Sequence, residues 1–566
     1  MKKLVTLMLC ITVFATLVSA KTIYVNAATG SDSNTGLTWS LALNTIPYAE
    51  TVAVDGDNIW IASGTYAIPG TSTFNQVDKR GMYGGFLGNE ATLSARPKSD
   101  LDGNGIVEPW EFTNATVLTF NVTDKSAITF TGAAFDGFTL SATATFNNSQ
   151  TACVYSMTDW TTNFANNTIK NNNLTFSANT DKGGYYPFFK AAGIVNNCLF
   201  EKNTVTANAS QLGYIAPFIT INPSYHATMG TKFLNSVIRN NKVTVDFSMA
   251  ASGIQSYAAR ALIMNVQGGM NPTAATGFTG GLCTTVANCV ITNNEMIYIP
   301  GAGGSGNLSD AAVIATGTSQ KYPSGTGTAQ PTTDSIINCT IANNKGNRTN
   351  NCGLYLLSDA TSYHYVINNV FYNNQRATNG TTYSVSNMGQ NNTLNPALIS
   401  NNLTNGGGLT NTTGQIVNQD NTLGTGANLP YFKTPTTTYG NTTDGTTELS
   451  NWTLTTGSYL IGKGIVTTRL KDKNGVAFAS TPAVGAYEFT GTATKLQSIA
   501  ETSTNFYTSN GRLVSKVDSK IEVINFAGAI LWNGKVTLGQ QIVLPKGAYI
   551  VHSTTEKGTS VQKIVL

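Results

Sequence analysis

The sequence predicts an all-β protein, a long parallel β-helix followed by a small C-terminal β-sandwich, and three observations carry this prediction. A short motif bounded by asparagines recurs six times through the middle of the chain. From Lys495 onward the pattern changes to alternating strands separated by glycine turns. Only 11% of the 566 residues are charged, against about 25% in most soluble proteins, so Asn, Thr, Ser and Gly must supply a repetitive polar surface.

The first 20 residues have the pattern of a secretory signal peptide. Lys2 and Lys3 precede an apolar run that ends at Val18, and the small residues Ser19 and Ala20 follow. Residues 1–20 are therefore predicted to direct export, which places the mature protein outside the cell or on its outer surface. No later apolar stretch is long enough for a membrane-spanning helix.

The repeat occupies the centre of residues 21–490, which are predicted to form the β-helix. Its copies are NNTIKNN from Asn166, NCLFEKN from Asn197, NSVIRNN from Asn235, NCVITNN from Asn288, NCTIANN from Asn338 and NNVFYNN from Asn368. Their starts lie 31, 38, 53, 50 and 30 residues apart. Short strands closed by Asn bends suit a parallel solenoid, because Asn tolerates left-handed backbone and can stack on the Asn of the next coil.

Two rows of side chains in this repeat are predicted to point into the solenoid. The first row is Cys198, Ser236, Cys289, Cys339 and Asn369. The second row, two residues further on, is Ile169, Phe200, Ile238, Ile291, Ile341 and Phe371. The shared register favours buried thiols, although disulfides between Cys283 and Cys289, or between Cys339 and Cys352, remain alternatives. No Cys-x-x-Cys spacing supports a metal site.

The segment DLDGNGIVEPWE, residues 100–111, has the spacing of a twelve-residue calcium loop. The predicted ligands are Asp100, Asp102, Asn104, the carbonyl of Ile106, Glu108 and Glu111. Gly105 permits the sharp turn that wraps these oxygens around one point. Because Pro109 argues against regular flanking helices, we expect a structural Ca²⁺ in a loop inserted near the first coils.

The ends of the β-helix segment carry a family resemblance. The stretches KTIYVNAATGSDSNTGLTWSLAL, GDNIWIASGTY and MYGGFLGNEATLSAR open it, FDGFTL follows, and WTLTTGSYLIGKG, DKNG and VGAYEF close it. Residues 22–490 thereby resemble the exported bacterial right-handed parallel β-helix proteins of the pectate-lyase-like superfamily. The resemblance implies a right-handed solenoid.

Residues 495–566 are predicted to form the β-sandwich. The run LPKGAYIV from Leu544 and the terminal KIVL are similar to the sorting domains that Bacteroidetes attach to cargo of the type IX secretion system. A sorting role and a simple terminal cap for the solenoid both remain open.

The superfamily includes polysaccharide lyases that use a basic Lys or Arg with calcium beside a uronate carboxylate. The corresponding candidates here are Lys190, Lys202, Lys232, Arg239, Lys242 and Arg260, with Asp246 nearby. None of them lies in a recognisable lyase motif. A glycosidase needs paired carboxylates, and the acids between residues 150 and 400 show no close pair in sequence: Asp159, Asp181, Glu201, Asp246, Glu295, Asp310, Asp334 and Asp359.

Aromatic residues between the motifs suit sugar stacking, with core packing as the alternative. They are Tyr185, Tyr186, Phe188, Phe189, Tyr225, Tyr257, Tyr298, Tyr322, Tyr355, Tyr363 and Tyr365.

The charged residues and histidines exclude two further classes of function. A net charge of +4 without basic runs disfavours nucleic acid as a binding partner. The three histidines are widely separated in sequence, which excludes a multi-histidine zinc site.

The sequence therefore favours a non-catalytic, adhesin-like or glycan-contacting surface protein, whose partner is an extracellular polysaccharide or a host or matrix glycan. A polysaccharide lyase or glycoside hydrolase is the alternative, and its catalytic residues cannot be named from the sequence. The oligomeric state is left open.

Overall fold

A computed structural model describes most of the chain. The described residues are 20–69, 73–76, 81–121, 128–132, 134–147, 154–157, 161–178, 188–209, 218–221, 231–246, 248, 261–266, 269–270, 284–299, 312–316, 320–322, 328–330, 332–347, 353–356, 362–377, 383–390, 398–404, 417–418, 432–491, 505–509, 511–525, 529–556 and 558–566. The predicted signal peptide, apart from Ala20, lies outside them.

The chain divides into two compact units, one ending at Gly491 and the other comprising residues 492–566. The first is a right-handed parallel β-helix and the second is an antiparallel β-sandwich, so the predicted fold class is confirmed. The predicted start of the second unit, residue 495, lies outside the described residues. Among the described residues, no helix has the length and apolar character that crossing a bilayer requires.

The helical elements lie in the N-terminal part of the first unit. The α-helix Ile46–Val52 begins after Thr45, whose side chain accepts a hydrogen bond from the N–H of Tyr48, as an N-cap residue does. Ile46 and Ala49 on this helix are buried in the core of the first coils. Two short 3₁₀ helices are Trp39–Leu41 and Leu93–Ala95.

Three parallel sheets run along the solenoid. Sheet A stacks, in order, Thr22–Val25, Asn58–Ala62, Gly81–Phe86, Ala134–Asp136, Asn163–Ala165, Ile194–Asn196, Lys232–Leu234, Thr284–Ala287, Thr332–Ile337, Ser362–Ile367 and Leu398–Ser400. The short strand Gly269–Met270 pairs antiparallel with Thr332–Ile337. Sheet C contains Thr73–Gln76, Ile128–Gly132, Tyr155–Met157, Phe189–Ala191, Ile219–Ile221, Ala261–Val266, Ala312–Thr316, Leu354–Leu356 and Met388–Gln390. Gln320–Tyr322 and Thr328–Gln330 form a separate antiparallel pair.

Sheet B begins as single strands and then divides into two rows. The single strands are Gly64–Pro69, Thr116–Asn121 and Phe138–Asn147. Row B1 continues with Thr168–Lys170, Leu199–Glu201, Val237–Arg239, Val290–Thr292, Thr340–Ala342, Val370–Tyr372, Leu403–Thr404 and Val417–Asn418. Row B2 continues with Asn173–Ala178, Thr204–Ala209, Lys242–Asp246, Glu295–Ile299, Lys345–Gly346 and Gln375–Ala377, and ends on antiparallel Tyr383–Val385.

The Asn motif places a turn on each side of every three-residue strand of row B1. The first Asn of each motif and the residue after the strand both have positive φ, between 51° and 59°. Asn adopts this left-handed conformation more readily than most residues, and Lys202 is the exception at one of these positions. The residue after each turn then points inward, which explains why the motif has Asn at both ends.

The second turn carries a continuous ladder of inward side chains. Its members are Asn172, Asn203, Asn241, Asn294, Asn344, Asn374 and Asn387. Each of the first six donates its backbone N–H and its Nδ2 to the Oδ1 of the next member, at 2.8 to 3.3 Å. The predicted stacking of Asn from coil to coil is confirmed.

Both predicted inward rows are buried. Cys198, Cys289 and Cys339 carry free thiols that are fully buried, and the row from Ile169 to Phe371 is fully buried as well. The buried-thiol interpretation is therefore confirmed for these three residues. Cys153, Cys283 and Cys352 lie outside the described residues.

A returning segment, residues 432–489, covers the outer face of row B1 and is named here the cover segment. Its strands Phe432–Thr434 and Asn451–Leu454 pair antiparallel. The apolar residues of this second core are Trp110, Leu199, Val237, Val290, Ala342, Val370, Leu403, Phe432, Trp452, Leu454, Leu460, Ala483, Val484, Ala486 and Tyr487. Row B1 is thus buried on both faces.

Left-handed Asn residues hold the cover segment along both of its edges. From the second turn, the Nδ2 atoms of Asn240, Asn293 and Asn343 donate to the carbonyls of Thr442, Thr438 and Thr436. From the first turn, those of Asn288, Asn368 and Asn401 donate to the carbonyls of Lys471, Ile465 and Lys463. All six distances lie between 2.6 and 2.9 Å.

The second unit contains two antiparallel sheets around one apolar core. One sheet has Phe506–Ser509, Arg512–Ser515 and Gln541–Val543, and the other has Ser519–Asn525, Ile530–Val536, Ala548–Thr555 and Gly558–Val565. Their shared core is Phe506, Leu513, Ile521, Val523, Val536, Ile542, Tyr549, Val551 and Ile564.

Replacing Asn294 by Ala tests the ladder. The change removes the acceptor of the buried N–H of Asn241, one of the three acceptors of its Nδ2, and the Nδ2 that donates to the carbonyl of Ile238. Because each unsatisfied buried group is costly, we expect a loss of about 3 to 5 kcal/mol in the free energy of unfolding, measured by urea denaturation. Asn173→Ala, at an exposed position of row B2, should change it by less than about 0.5 kcal/mol. Equal effects of the two substitutions would contradict a structural role for the ladder.

Candidate functional site

The acidic loop, residues 100–111, is inserted between the sheet A strand Gly81–Phe86 and the sheet B strand Thr116–Asn121. A bridge between Lys98 and Phe112 closes its base. No α-helix flanks the loop within the described residues 81–121, as Pro109 led us to expect. The loop therefore sits near the first coils, where the sequence places it.

The structure brings three of the six predicted calcium ligands together. One carboxylate oxygen from each of Asp100, Asp102 and Glu111 lies within 4.8 Å of the other two. The N–H groups of Gly103, Asn104 and Gly105 donate to the carboxylate of Asp100 at 2.8 to 3.1 Å. Gly105 has a φ of 84°, which confirms the reason for glycine at this turn.

The other three predicted ligands are connected to this group by hydrogen bonds. The Oδ1 of Asn104 accepts from the N–H of Ile106 at 2.8 Å, and its Nδ2 donates to the Oε1 of Glu108 at 3.2 Å. The N–H of Glu108 in turn donates to the Oε2 of Glu111 at 2.8 Å. The Oε2 of Glu108 is buried and has no hydrogen-bond partner among the described residues.

The electrostatics of the acidic loop favour a cation. Burial, together with the carboxylates of Glu108 and Asp102, raises the pKa of Glu111 to about 7, although the hydrogen bond from the backbone N–H of Glu108 opposes this rise. Burial also raises the pKa of Asp102, although Arg239 opposes the change. Oxygen ligands and excess negative charge are what Ca²⁺ requires, so the residues present fit this ion.

Arg239 joins the acidic loop to the solenoid. Its side chain is 4% exposed, and its NH2 group lies 2.7 Å from Glu201 and 2.8 Å from Asp102. Burial alone would lower the pKa of Arg239, but these two carboxylates raise it above its ordinary value. Arg239 is therefore a permanently charged buried link and is not available as a catalytic base.

Lys473 joins the cover segment to the same loop. Its Nζ is buried 4.0 Å from the Oε1 of Glu108, and it lies 4.7 Å and 5.5 Å from the ring centres of Trp110 and Tyr487. Burial lowers the pKa of Lys473. The Nδ2 of Asn451 adds a hydrogen bond to the carbonyl of Asn104 at 2.9 Å, so the loop contacts both the coils and the cover segment.

The remaining basic candidates are spread over several faces. Lys202 occupies a turn and pairs with Glu448 at 3.0 Å. Lys190 lies on sheet C, Lys232 on sheet A, and Lys242 with Asp246 on row B2. Arg260 lies outside the described residues. The described candidates do not converge on one accessible site.

The acidic candidates are also dispersed. Glu201 pairs with Arg239, Glu295 pairs with Lys345 at 3.1 Å, and Asp334 is buried against His364 at 2.9 Å. Asp159, Asp181, Asp310 and Asp359 lie outside the described residues.

Most of the described aromatic candidates belong to the core. Phe188 and Phe189 are fully buried, and Tyr298, Tyr355 and Tyr365 are also buried. Tyr363 is partly buried against Leu234, Ala287, Ile337, Tyr365 and Ile367. Tyr322 lies in a short strand, while Tyr185, Tyr186, Tyr225 and Tyr257 lie outside the described residues. Core packing is therefore the correct interpretation for the buried members.

Row B2 presents a polar outer face that sequence reasoning did not identify. We name it the B2 strip, formed by the partly or fully exposed side chains of Asn173, Thr175, Thr204, Thr206, Lys242, Thr244, Glu295 and Lys345. Parallel pairing aligns these residues in register from coil to coil. Period-two alternation after each second turn was the signal that could have revealed this face.

A pair of tyrosines lies at one end of the B2 strip. The ring centres of Tyr383 and Tyr439 are 5.9 Å apart, and the Nζ of Lys345 lies 4.9 Å from the centre of the Tyr383 ring. Tyr439 is 40% exposed. These two residues are 56 positions apart in sequence, which explains why no local motif predicts the pair.

The fold defines a right-handed parallel β-helix protein with an inserted acidic loop. No family model matches the chain, and no curated protein matches it. Among solved structures, the chain is similar to pectate lyase Pel9A, with 15% identity over 83% of this chain and 96% of that one and a TM-score of 0.33. It is also similar to a rhamnogalacturonan lyase, with 13% identity over 70% and 84% of the two chains and a TM-score of 0.22.

Replacing Arg239 by Met tests its structural role. The change leaves the buried Glu201 and the half-buried Asp102 without a counter-charge, so we expect the free energy of unfolding to fall by about 3 to 5 kcal/mol. Lys202→Met, one coil away and exposed, removes a surface ion pair and should cost less than about 1 kcal/mol. Denaturation of both variants provides the measurement, and an Arg239→Met protein as stable as the parent would contradict this role.

The raised pKa of Glu111 predicts a pH dependence of the metal-free protein. The folded state binds this proton more tightly than the unfolded state, whose carboxyl has an ordinary pKa of 4.5. Its contribution to stability is therefore complete below pH 4.5 and is lost as the pH rises to about 7. The melting temperature of the parent protein should therefore include a decrease between pH 4.5 and 8 that is caused by the ionisation of Glu111. Because Gln does not ionise, we expect Glu111→Gln to lack this contribution to the decrease. An unchanged slope in the variant would count against the raised pKa.

Proposed function

We propose that this protein is an exported cell-surface β-helix that contacts extracellular glycans without cleaving them. The observation that carries the proposal is the B2 strip with its tyrosine pair. Threonine hydroxyls and amide groups can hydrogen-bond sugar hydroxyls, and an exposed aromatic ring can stack on a sugar face. The N-terminal signal pattern supports export, and the similarity of residues 495–566 to type IX sorting domains supports attachment to the outer surface.

The contacts of Arg239 and Lys202 support a binding role over an enzymatic one. A lyase needs an accessible base of lowered pKa, whereas Arg239 is enclosed by two carboxylates and Lys202 is paired with Glu448. A glycosidase needs two carboxyl groups facing one cleft. Glu201 and Glu295 are paired with cations, Asp334 is buried against His364, and Asp246 stands on row B2. A lyase or glycoside hydrolase remains the alternative.

We also propose that the acidic loop holds a structural Ca²⁺. Asp100, Asp102 and Glu111 would bind it, with Asn104, Ile106 and Glu108 completing the set that the spacing predicts. The ion would neutralise the carboxylates of a loop that contacts both the coils and the cover segment. Its role is to stabilise this junction, and no chemical step is assigned to it.

Calcium binding predicts a rise in stability that depends on the acidic loop. At about 10 mM Ca²⁺ and an affinity of about 10⁻⁴ to 10⁻³ M, the gain in the free energy of unfolding should be roughly 1.4 to 2.7 kcal/mol. Asp100→Asn combined with Glu111→Gln should abolish this gain. Mg²⁺ at the same concentration serves as the control ion, and a gain that persists in the double variant would refute the assignment.

Glycan contact predicts a loss of binding when the exposed ring is removed. Tyr439→Ala should weaken retention on the polysaccharide that the parent protein binds, by at least about fivefold, because stacking of one ring is worth about 1 kcal/mol or more. Tyr48→Ala is the matched control, since Tyr48 is 41% exposed on the N-terminal helix. Affinity electrophoresis through a panel of plant and host polysaccharides measures both variants. Equal retention of the two would place the contact elsewhere, and release of unsaturated ends would favour a lyase.

A further inference from the structure

The B2 strip is a linear array whose direction follows the solenoid axis. Asn173, Thr204, Lys242, Glu295 and Lys345 occupy equivalent positions in five successive coils. With neighbouring strands about 4.8 Å apart, these five positions extend over roughly 19 Å. A second line of Thr175, Thr206 and Thr244 runs parallel to the first and is followed in register by the apolar Ile297.

The strip offers threonine hydroxyls in its first three coils and paired charges in the coils that follow. Lys345 and Glu295 form an ion pair at 3.1 Å, and Lys242 stands in register beside Glu295 on the other side. Asp246 is the second acid of the row B2 outer face. Among the described outward residues from Asn173 to Gly346, these two lysines and two acids balance, so this stretch carries no net charge. A polyanion would meet Glu295 and Asp246 as well as the lysines and would gain little from electrostatic attraction.

The shape and charge of the strip specify a class of ligand. Resting on the proposed glycan contact, we propose that the B2 strip binds a linear, uncharged polysaccharide that lies along the solenoid axis and stacks one ring on the tyrosine pair. Successive sugar rings would meet an equivalent position in each coil, because a sugar unit with its linkage is comparable in length to the strand spacing. The hydroxyls of Thr204, Thr206 and Thr244 would bond to sugar hydroxyls without any requirement for charge.

Calorimetric titration of the full chain with two series of oligosaccharides tests this inference. One series contains neutral linear oligomers from glucan, xylan and mannan, and the other contains oligouronates of the same lengths. We expect neutral oligomers of at least one series to bind, with affinity rising at least about tenfold from dimer to pentamer and then levelling off. We expect affinity to change less than about twofold between low and high salt, because no net charge is neutralised.

A blocking variant locates the ligand on the strip. Thr244→Trp places a bulky ring in the middle of the strip and should weaken pentamer binding at least about tenfold. Asn163→Trp, on the exposed outer side of sheet A, is the matched control and should leave binding unchanged.

The outcomes separate the inference from the proposed function. Preferential, salt-sensitive binding of oligouronates would overturn the inference while leaving glycan contact intact. Neutral binding that is independent of chain length, or insensitive to Thr244→Trp, would also overturn it. Failure of both series and of the polysaccharide panel to bind would overturn the proposed function and the inference together.

Discussion

The structure depends on one constraint, the pair of left-handed turns that bound each three-residue strand of row B1 from Thr168–Lys170 to Val370–Tyr372. Each turn requires a residue that accepts positive φ, and each must satisfy the amide groups that it buries. At the second turn Asn meets both needs in most coils, because one Asn takes the left-handed backbone while the next points inward and bonds to its equivalent in the following coil. The inward ladder thereby fixes the register of successive coils. Without that register, neither the apolar rows inside nor the polar strip outside would be aligned.

The same turns organise the exterior. Asn residues in the strained positions direct their side chains outward and hold the backbone of the cover segment along both edges of row B1. The covered face is mainly apolar, and the buried cations Arg239 and Lys473 join the acidic loop to the coils and to the cover segment. These charged side chains therefore have a structural role. Row B2, turned away from the cover by the second turn, retains side chains that solvent can reach.

Local patterns predicted a large part of this arrangement. The motif starts at Asn166, Asn197 and Asn235 correspond to the coil spacings in the strand register, because each motif contains its own turn, strand and inward residue. The spacing of residues 100–111 likewise predicted that Asp100, Asp102 and Glu111 converge. Long-range contacts were not predictable in this way. Arg239 meets Asp102 across 137 residues, and the pairing of Tyr383 with Tyr439 depends on the path of the cover segment, which no periodicity reveals.

Native-state hydrogen exchange tests most directly whether the inward Asn ladder holds the coils together. The account predicts that the backbone amides of Asn203, Asn241 and Asn294, which donate to the next coil, exchange only through global unfolding of the first unit. They should therefore share one slow rate that is slower than that of the cover segment. Exchange of these amides as fast as that of the exposed strip, or before release of the cover segment, would contradict the account.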